Sequence, residues 1–228
     1  MPDGIEQSQT KQDLPRMVLA SASPRRKQIF ESAGFRFEIM DPGDAEDAVN
    51  SAHTPEQLAI DKARAKARAA AEKVQGPYPA LVIGADTLVA AHERVIGKPL
   101  DRADAVAILS GLSGTRHCVI SGVCVIAVFA GEDAGHPRVE RVSPLEFAES
   151  TWVTMKSMSP EAIAEYVNSG QSDGKAGAYA IQENGDQFVE RIEGCFLNVV
   201  GFPLERFKAE LPAVLDQLNF GASKQDRQ

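Results

Sequence analysis

Several separate segments of this chain gather charged and small residues in patterns that go beyond ordinary surface composition. Ser23-Pro24-Arg25-Arg26-Lys27 follows an apolar run, and its pattern makes Ser23 an N-cap and Pro24 the first residue of a helix. Unpaired N–H groups already make a helix start partly positive, so three cations in that first turn run against the usual acidic preference. An anion is the natural counterpart. Phosphate suits it, because helix N-termini and guanidinium forks both present directed N–H donors. On that segment alone, a capped helix with solvated arginines reads equally well.

Asp86, flanked by Gly84-Ala85 and Thr87, ends an apolar run where small neighbours permit close approach. A carboxylate there can orient a water or help hold a metal, although Asp at a strand-to-turn junction is also ordinary turn chemistry. Gly97-Lys98-Pro99 places an ammonium on a stiff segment, or simply in an exposed loop. Gly174-Lys175-Ala176-Gly177 leads towards Gln182, whose amide offers a donor and an acceptor suited to a base edge. A glycine-bearing turn with a strand-capping Gln is the plainer reading. The acidic run Asp44, Glu46, Asp47 supplies oxygen donors for a hard cation such as Mg²⁺ or Mn²⁺, and equally fits a solvated loop. His53 and His117 read as structural histidines, and Trp152 and Tyr166 as core residues.

The elements that must carry these groups alternate between helix and strand. Strands are predicted at 17–20, 35–40, 80–84, 117–129 and 147–155, with Gly122 a bulge in the fourth. Helices are predicted from Pro24 to about Gly34, Pro55 to about Val74, Asp101 to Leu109, Pro160 to Gly170 and Pro203 to about Leu218. Hairpins are expected around His92-Glu93 and at Asn184-Gly185, between strands 179–182 and 187–192. Lys62, Arg64, Lys66 and Arg68 alternate along the second helix, which spreads charge around it, so most read as solvated. The fold class is therefore α/β, a mixed sheet with flanking helices.

Composition narrows the partners. The chain has 228 residues, with 24 Lys and Arg against 32 Asp and Glu, a formal charge of -8. That balance argues against a nucleic-acid polymer and favours a small polyanion met by local basic clusters. No run reaches the length of a membrane span, and residues 1–13 lack the apolar core of a signal peptide. Three cysteines without metal spacing read as buried thiols in a reducing compartment. The expectation is a cytoplasmic protein, with one domain over 16–219, a mobile extension at 1–15 and a mobile tail at 220–228.

Taken in order, Leu19-Ala20-Ser21-Ala22-Ser23-Pro24-Arg25-Arg26, Leu58-Ala59-Ile60-Asp61-Lys62-Ala63, Gly84-Ala85-Asp86-Thr87, Gly97-Lys98-Pro99, Leu112-Ser113-Gly114 with His117, Lys175-Ala176-Gly177-Ala178-Tyr179 with Ile181-Gln182, and Asn198-Val199-Val200-Gly201 resemble the Maf family of nucleoside triphosphate pyrophosphatases. The resemblance implies an inosine-triphosphatase-like α/β fold, an elongated twisted sheet, and hydrolysis between the α and β phosphates with a divalent cation. It implies Asp86 as acceptor of the attacking water's proton, and Arg25, Thr87 and Gln182 as positions that set substrate choice, in the manner of the dTTP/UTP branch. Ser23, Arg26, Lys62, Lys98 and Lys175 become phosphate ligands, and Asp86 with Glu46 or Asp47 the metal side. A homodimer is also implied. The family's acidic pair usually reads Asp-Glu where Ala45-Glu46-Asp47 stands here, and Glu183-Asn184 stands where a glycine is common. Alternatives are the 7-methyl-GTP branch of the family and a regulator of septum formation that binds nucleotide without turning it over.

Overall fold

The computed structural model describes residues 14–49, 54–92, 94–130, 137–138, 145–182 and 184–225. Eight strands form the sheet: β1 Arg16–Ala20, β2 Phe37–Met40, β3 Ala80–Ala91, β4 Arg94–Ile96, β5 Arg116–Ala130, β6 Pro137–Arg138, β7 Leu145–Met155 and β8 Val189–Glu193. Their order is β2-β1-β3-β5-β7-β8, with β4 on β3 and β6 on β5. β1 runs parallel to β2 and β3, whereas the β3–β5, β5–β7 and β7–β8 pairs are antiparallel. The mixed α/β sheet expected from the sequence is thus the one observed.

The helices are α1 Pro24–Ser32, α2 Pro55–Ala71, α3 Arg102–Leu112, α4 Pro160–Asn168, α5 Phe196–Val200 and α6 Leu204–Gln225. Alternation along β3 and β5 separates the two faces of the sheet. Val82, Cys124 and Ile126 meet an alanine face of α2 formed by Ala63, Ala67 and Ala70. Leu81, Ile83, Val123 and Val125 meet α1 through Ile29 and Phe30, and α6 through Phe207 and Leu211. Farther along that face, Val89, Val119 and Val153 pack against α3 and α4 through Leu109, Leu112, Ile163 and Tyr166.

Two glycines let α2 lie directly on the sheet backbone. A Cβ at Gly84 would fall 2.2 Å from the Ala63 carbonyl oxygen, and one at Gly122 would fall 2.2 Å from that of Ala59. Gly122 therefore marks close approach of a helix and not the expected bulge; the β3–β5 register runs unbroken through Asp86 opposite Gly122. The register shift lies instead at Thr154/Met155.

Other elements also differ from expectation. β3 is one strand from Ala80 to Ala91, so Asp86 sits within a strand and not at its end. Residues 179–182 form no strand. Asn184 adopts φ 57, but Gly185 lies against the Ala180 carbonyl and begins a 3-10 turn over Gly185–Phe188, so the Asn-Gly pair makes no hairpin. A two-residue hairpin of that type needs positive φ at both positions. α5 has no counterpart in the sequence reading, and α6 continues past Leu218 to Gln225. Trp152 is 43% exposed, with the Arg116 guanidinium 4.4 Å above its ring, and is not a core residue. Tyr166 is buried. Cys118 and Cys124 are buried and Cys195 half-buried, all as free thiols. Residues 1–13, His53, Glu183 and 226–228 lie outside the described residues.

Candidate active site

β1 stops at Ala20, opposite Gly84, and β4 begins pairing at Val89, so β3 has no strand on that side from Ala85 to Leu88. A cleft of about 360 Å³ occupies this gap. Asp86 reaches it from the α2 face and Thr87 from the α1 face. Ser23, Arg25, Arg26, Glu46, Lys66, Lys98, Lys175 and Gln182 also line it. Three elements and three loops far apart in sequence therefore converge where the sheet is interrupted.

Lys66 was legible only as one of several alternating charges, yet it is 6% exposed. Its Nζ donates to Asp86 Oδ1 at 2.7 Å and lies 2.9 Å from Glu46 Oε1. Its position in the stripe Ala59, Ala63, Ala67, Ala70 carried the signal, because that spacing marks the buried face of α2. Lys62, one turn earlier, is half-buried and outside the cleft lining, which corrects its expected placement. Asp47 is likewise exposed and outside the lining, while Glu46 lies within it. Burial pushes the Glu46 carboxyl up, but the hydrogen bond and charge of Lys66, with Lys98 farther away, bring it below its usual value. Glu46 Oε2 is buried without a hydrogen-bond partner among the described residues.

Arg26 is 7% exposed and ties three segments together. Its Nε donates to Gly201 O at 2.9 Å, Nη1 to Ser21 Oγ at 3.3 Å and Nη2 to Thr87 Oγ1 at 3.1 Å. Burial lowers its pKa, and Asp86 opposes that shift. Arg25 is half-buried at the cleft. Ser23 occupies the N-cap position of α1, but its side chain makes no capping hydrogen bond. Lys175 donates to Gln171 O at 2.8 Å, and Lys98 and Gln182 are exposed on the rim. His117 is fully buried, with Nε2 2.8 Å from Tyr179 Oη; burial pulls it down to about 4. It is structural, as expected, and Tyr179 in turn walls the cleft.

A mixed α/β sheet with the Asp86 and Glu46 carboxylates set among basic side chains, at a break in strand pairing, defines a protein that handles an anionic small molecule. The chain belongs to the Maf family: the family profile described as Maf-like protein matches residues 16–214. It is 39% identical over 204 residues to a dTTP/UTP pyrophosphatase of Ruminiclostridium cellulolyticum, covering 89% of this chain and 96% of the relative. A dTTP/UTP pyrophosphatase of Nitratidesulfovibrio vulgaris is 41% identical over 199 residues, 87% of this chain and 86% of that one. A human protein described as a probable bifunctional dTTP/UTP pyrophosphatase/methyltransferase is 42% identical over 201 residues, 86% of this chain but 31% of its own length. Among solved structures, a HAM1 protein from Coxiella burnetii superposes with a TM-score of 0.37 at 15% identity, over 72% of this chain and 86% of that one.

Proposed function

We propose that the protein hydrolyses dTTP and UTP to the monophosphate and pyrophosphate. The observation that carries this reading is the convergence of Arg25, Arg26, Lys66, Lys98 and Lys175 with Asp86 in one cleft. A triphosphate needs several cations, and most of the catalysis of its cleavage is positioning and charge stabilisation. Arg25, Lys98 and Lys175 take phosphate oxygens, with Ser23 and the α1 N-terminus beside them; Arg26, expected among the phosphate ligands, instead directs its guanidinium to Gly201 O, Ser21 and Thr87. Lys66 replaces Lys62 in this set, because Lys66 is the helix lysine that lines the cleft. Arg25, Thr87 and Gln182 set the choice of substrate.

Asp86 accepts the proton of the attacking water. Lys66 holds one oxygen of that carboxylate, and the other takes no hydrogen bond among the described residues. The water attacks the α-phosphorus, the bond to the bridging oxygen breaks, and pyrophosphate leaves. Asp86 and Glu46 would hold a divalent cation. No three Asp, Glu, His or Cys side chains among the described residues form a complete cage. Two carboxylates, one with a buried unpartnered oxygen, nonetheless suit Mg²⁺ or Mn²⁺, which takes its remaining ligands from water and substrate phosphates. When bound, such an ion offsets charge on the phosphate oxygens. The reading includes a homodimer, on the resemblance alone, and a cytoplasmic location, on the composition of the chain; sedimentation velocity tests the former. No helix among the described residues is long and apolar enough to cross a membrane.

Incubation of UTP or dTTP with Mg²⁺ or Mn²⁺ should release pyrophosphate, and Asp86→Asn should lower the rate by about 10²-fold or more with binding retained. Orthophosphate as first product overturns the cleavage site. A higher kcat/KM for 7-methyl-GTP than for dTTP and UTP overturns the substrate class.

A further inference from the structure

Ser121 is fully buried on β5, opposite Thr87 in the β3–β5 register, and is not part of the cleft lining. Its Oγ lies 2.8 Å from Thr87 Oγ1 and makes no other hydrogen bond among the described residues. Thr87 Oγ1 also receives Arg26 Nη2 at 3.1 Å and sits 3.3 Å from Gly201 O. A guanidinium only donates, and a hydroxyl has one proton and two lone pairs.

Those constraints leave one arrangement in which every hydroxyl proton has an acceptor. Were Thr87 to donate to Ser121, the Ser121 proton would be buried with nothing to receive it, at the cost of an unmade hydrogen bond. Ser121 therefore donates to Thr87, Arg26 donates to Thr87, and both lone pairs of Thr87 are filled. The Thr87 proton points to Gly201 O across a long 3.3 Å contact, or to a better acceptor in the cleft.

We infer that Ser121 is a specificity-determining residue acting through Thr87: it makes Thr87 a donor only, so the substrate group that Thr87 meets is an acceptor oxygen. The inference rests on the nucleotide reading above and adds to it the polarity of one contact. The acceptor is either the 4-keto oxygen of uracil or thymine, which cytosine lacks, or an oxygen of the phosphate chain. An exocyclic amino group at the first of these places, as in cytosine, would meet a hydroxyl with no lone pair to offer.

The test is a double-mutant cycle of Ser121→Ala and Thr87→Val, read as calorimetric affinity for α,β-methylene analogues of UTP and CTP and as kcat/KM for the parent nucleotides. With Thr87 present, Ser121→Ala frees a lone pair. A base contact then shows as a preference for UTP over CTP that falls about tenfold. A phosphate contact shows as an equal loss of affinity for both. In the Thr87→Val background either effect should vanish. Ser121→Cys, nearly isosteric with a weak donor, should fall between wild type and Ala, and replaces Ala should that variant unfold. Unchanged affinity and preference in Ser121→Ala, or equal changes with and without Thr87, overturn the inference while leaving the pyrophosphatase reading intact. A wild type that binds neither analogue overturns both.

Discussion

Asp86 and Thr87 are neighbours in β3 whose side chains leave opposite faces of the sheet, yet both line the same cleft. Asp86 bonds to Lys66 of α2, and Thr87 to Arg26 of α1. Pleating normally keeps such neighbours apart. Here β1 ends at Ala20 and β4 pairs only from Val89, so the open edge of β3 can be approached from both sides at once. Two layers of helices thereby contribute to one site.

Replacing Lys66 tests the ammonium between the carboxylates. Lys66→Met leaves Glu46 and Asp86 without their shared cation, at a cost of about 3 kcal/mol in unfolding free energy, as for a broken buried pair. Urea denaturation of wild type and variant measures it; an unchanged midpoint would show that the ammonium adds no net stability.

Arg25 and Arg26 should separate. Arg26→Ala removes three hydrogen bonds joining α1, β3 and the turn at Gly201, and should lower stability by about 3 kcal/mol. Arg25→Ala should change stability by no more than about 0.5 kcal/mol and raise KM about tenfold, the loss of one charge-assisted contact. Thermal melts and nucleotide kinetics on the two variants decide the matter.

His117 makes stability depend on pH. Its folded value of about 4 lies below the 6.5 of an exposed imidazole. The unfolded chain therefore binds a proton that the folded chain refuses. The contribution is present above pH 6.5 and is lost as pH falls towards 4; between pH 7 and pH 5 it amounts to about 2 kcal/mol. Denaturant midpoints for wild type and His117→Asn should converge over that interval, and parallel curves would rule it out.

Gly84→Ala should push α2 away from β3, because the added Cβ meets the Ala63 carbonyl oxygen at 2.2 Å. About 3 kcal/mol of stability and most of the activity should go with it, since Lys66 rides on that helix. Gly111→Ala, in α3 with nothing within 4 Å of the added carbon, should instead gain up to about 1 kcal/mol. Melting temperatures of the two variants make the comparison.

Local chemistry was readable from the amino acids alone. Ser-Pro and Thr-Pro pairs announced the starts of α1 and α2, alternation announced β7, and Asp86, Arg25, Arg26, Lys98, Lys175 and Gln182 were marked as candidates that do meet in one cleft. What escaped such reading depends on distant partners. Lys66 and Lys62 look alike in sequence, and they part company because only Lys66 lies where α2 settles onto Gly84 and Gly122. Gly122 has the look of a bulge until a helix backbone is found resting on it. Asn184-Gly185 fails as a hairpin because the Ala180 carbonyl claims the space and the N–H of Gly185. Periodicity and capping act over a few residues and survive in any context. A cleft in a sheet arises from where one strand ends against another, and that register is a property of the folded chain.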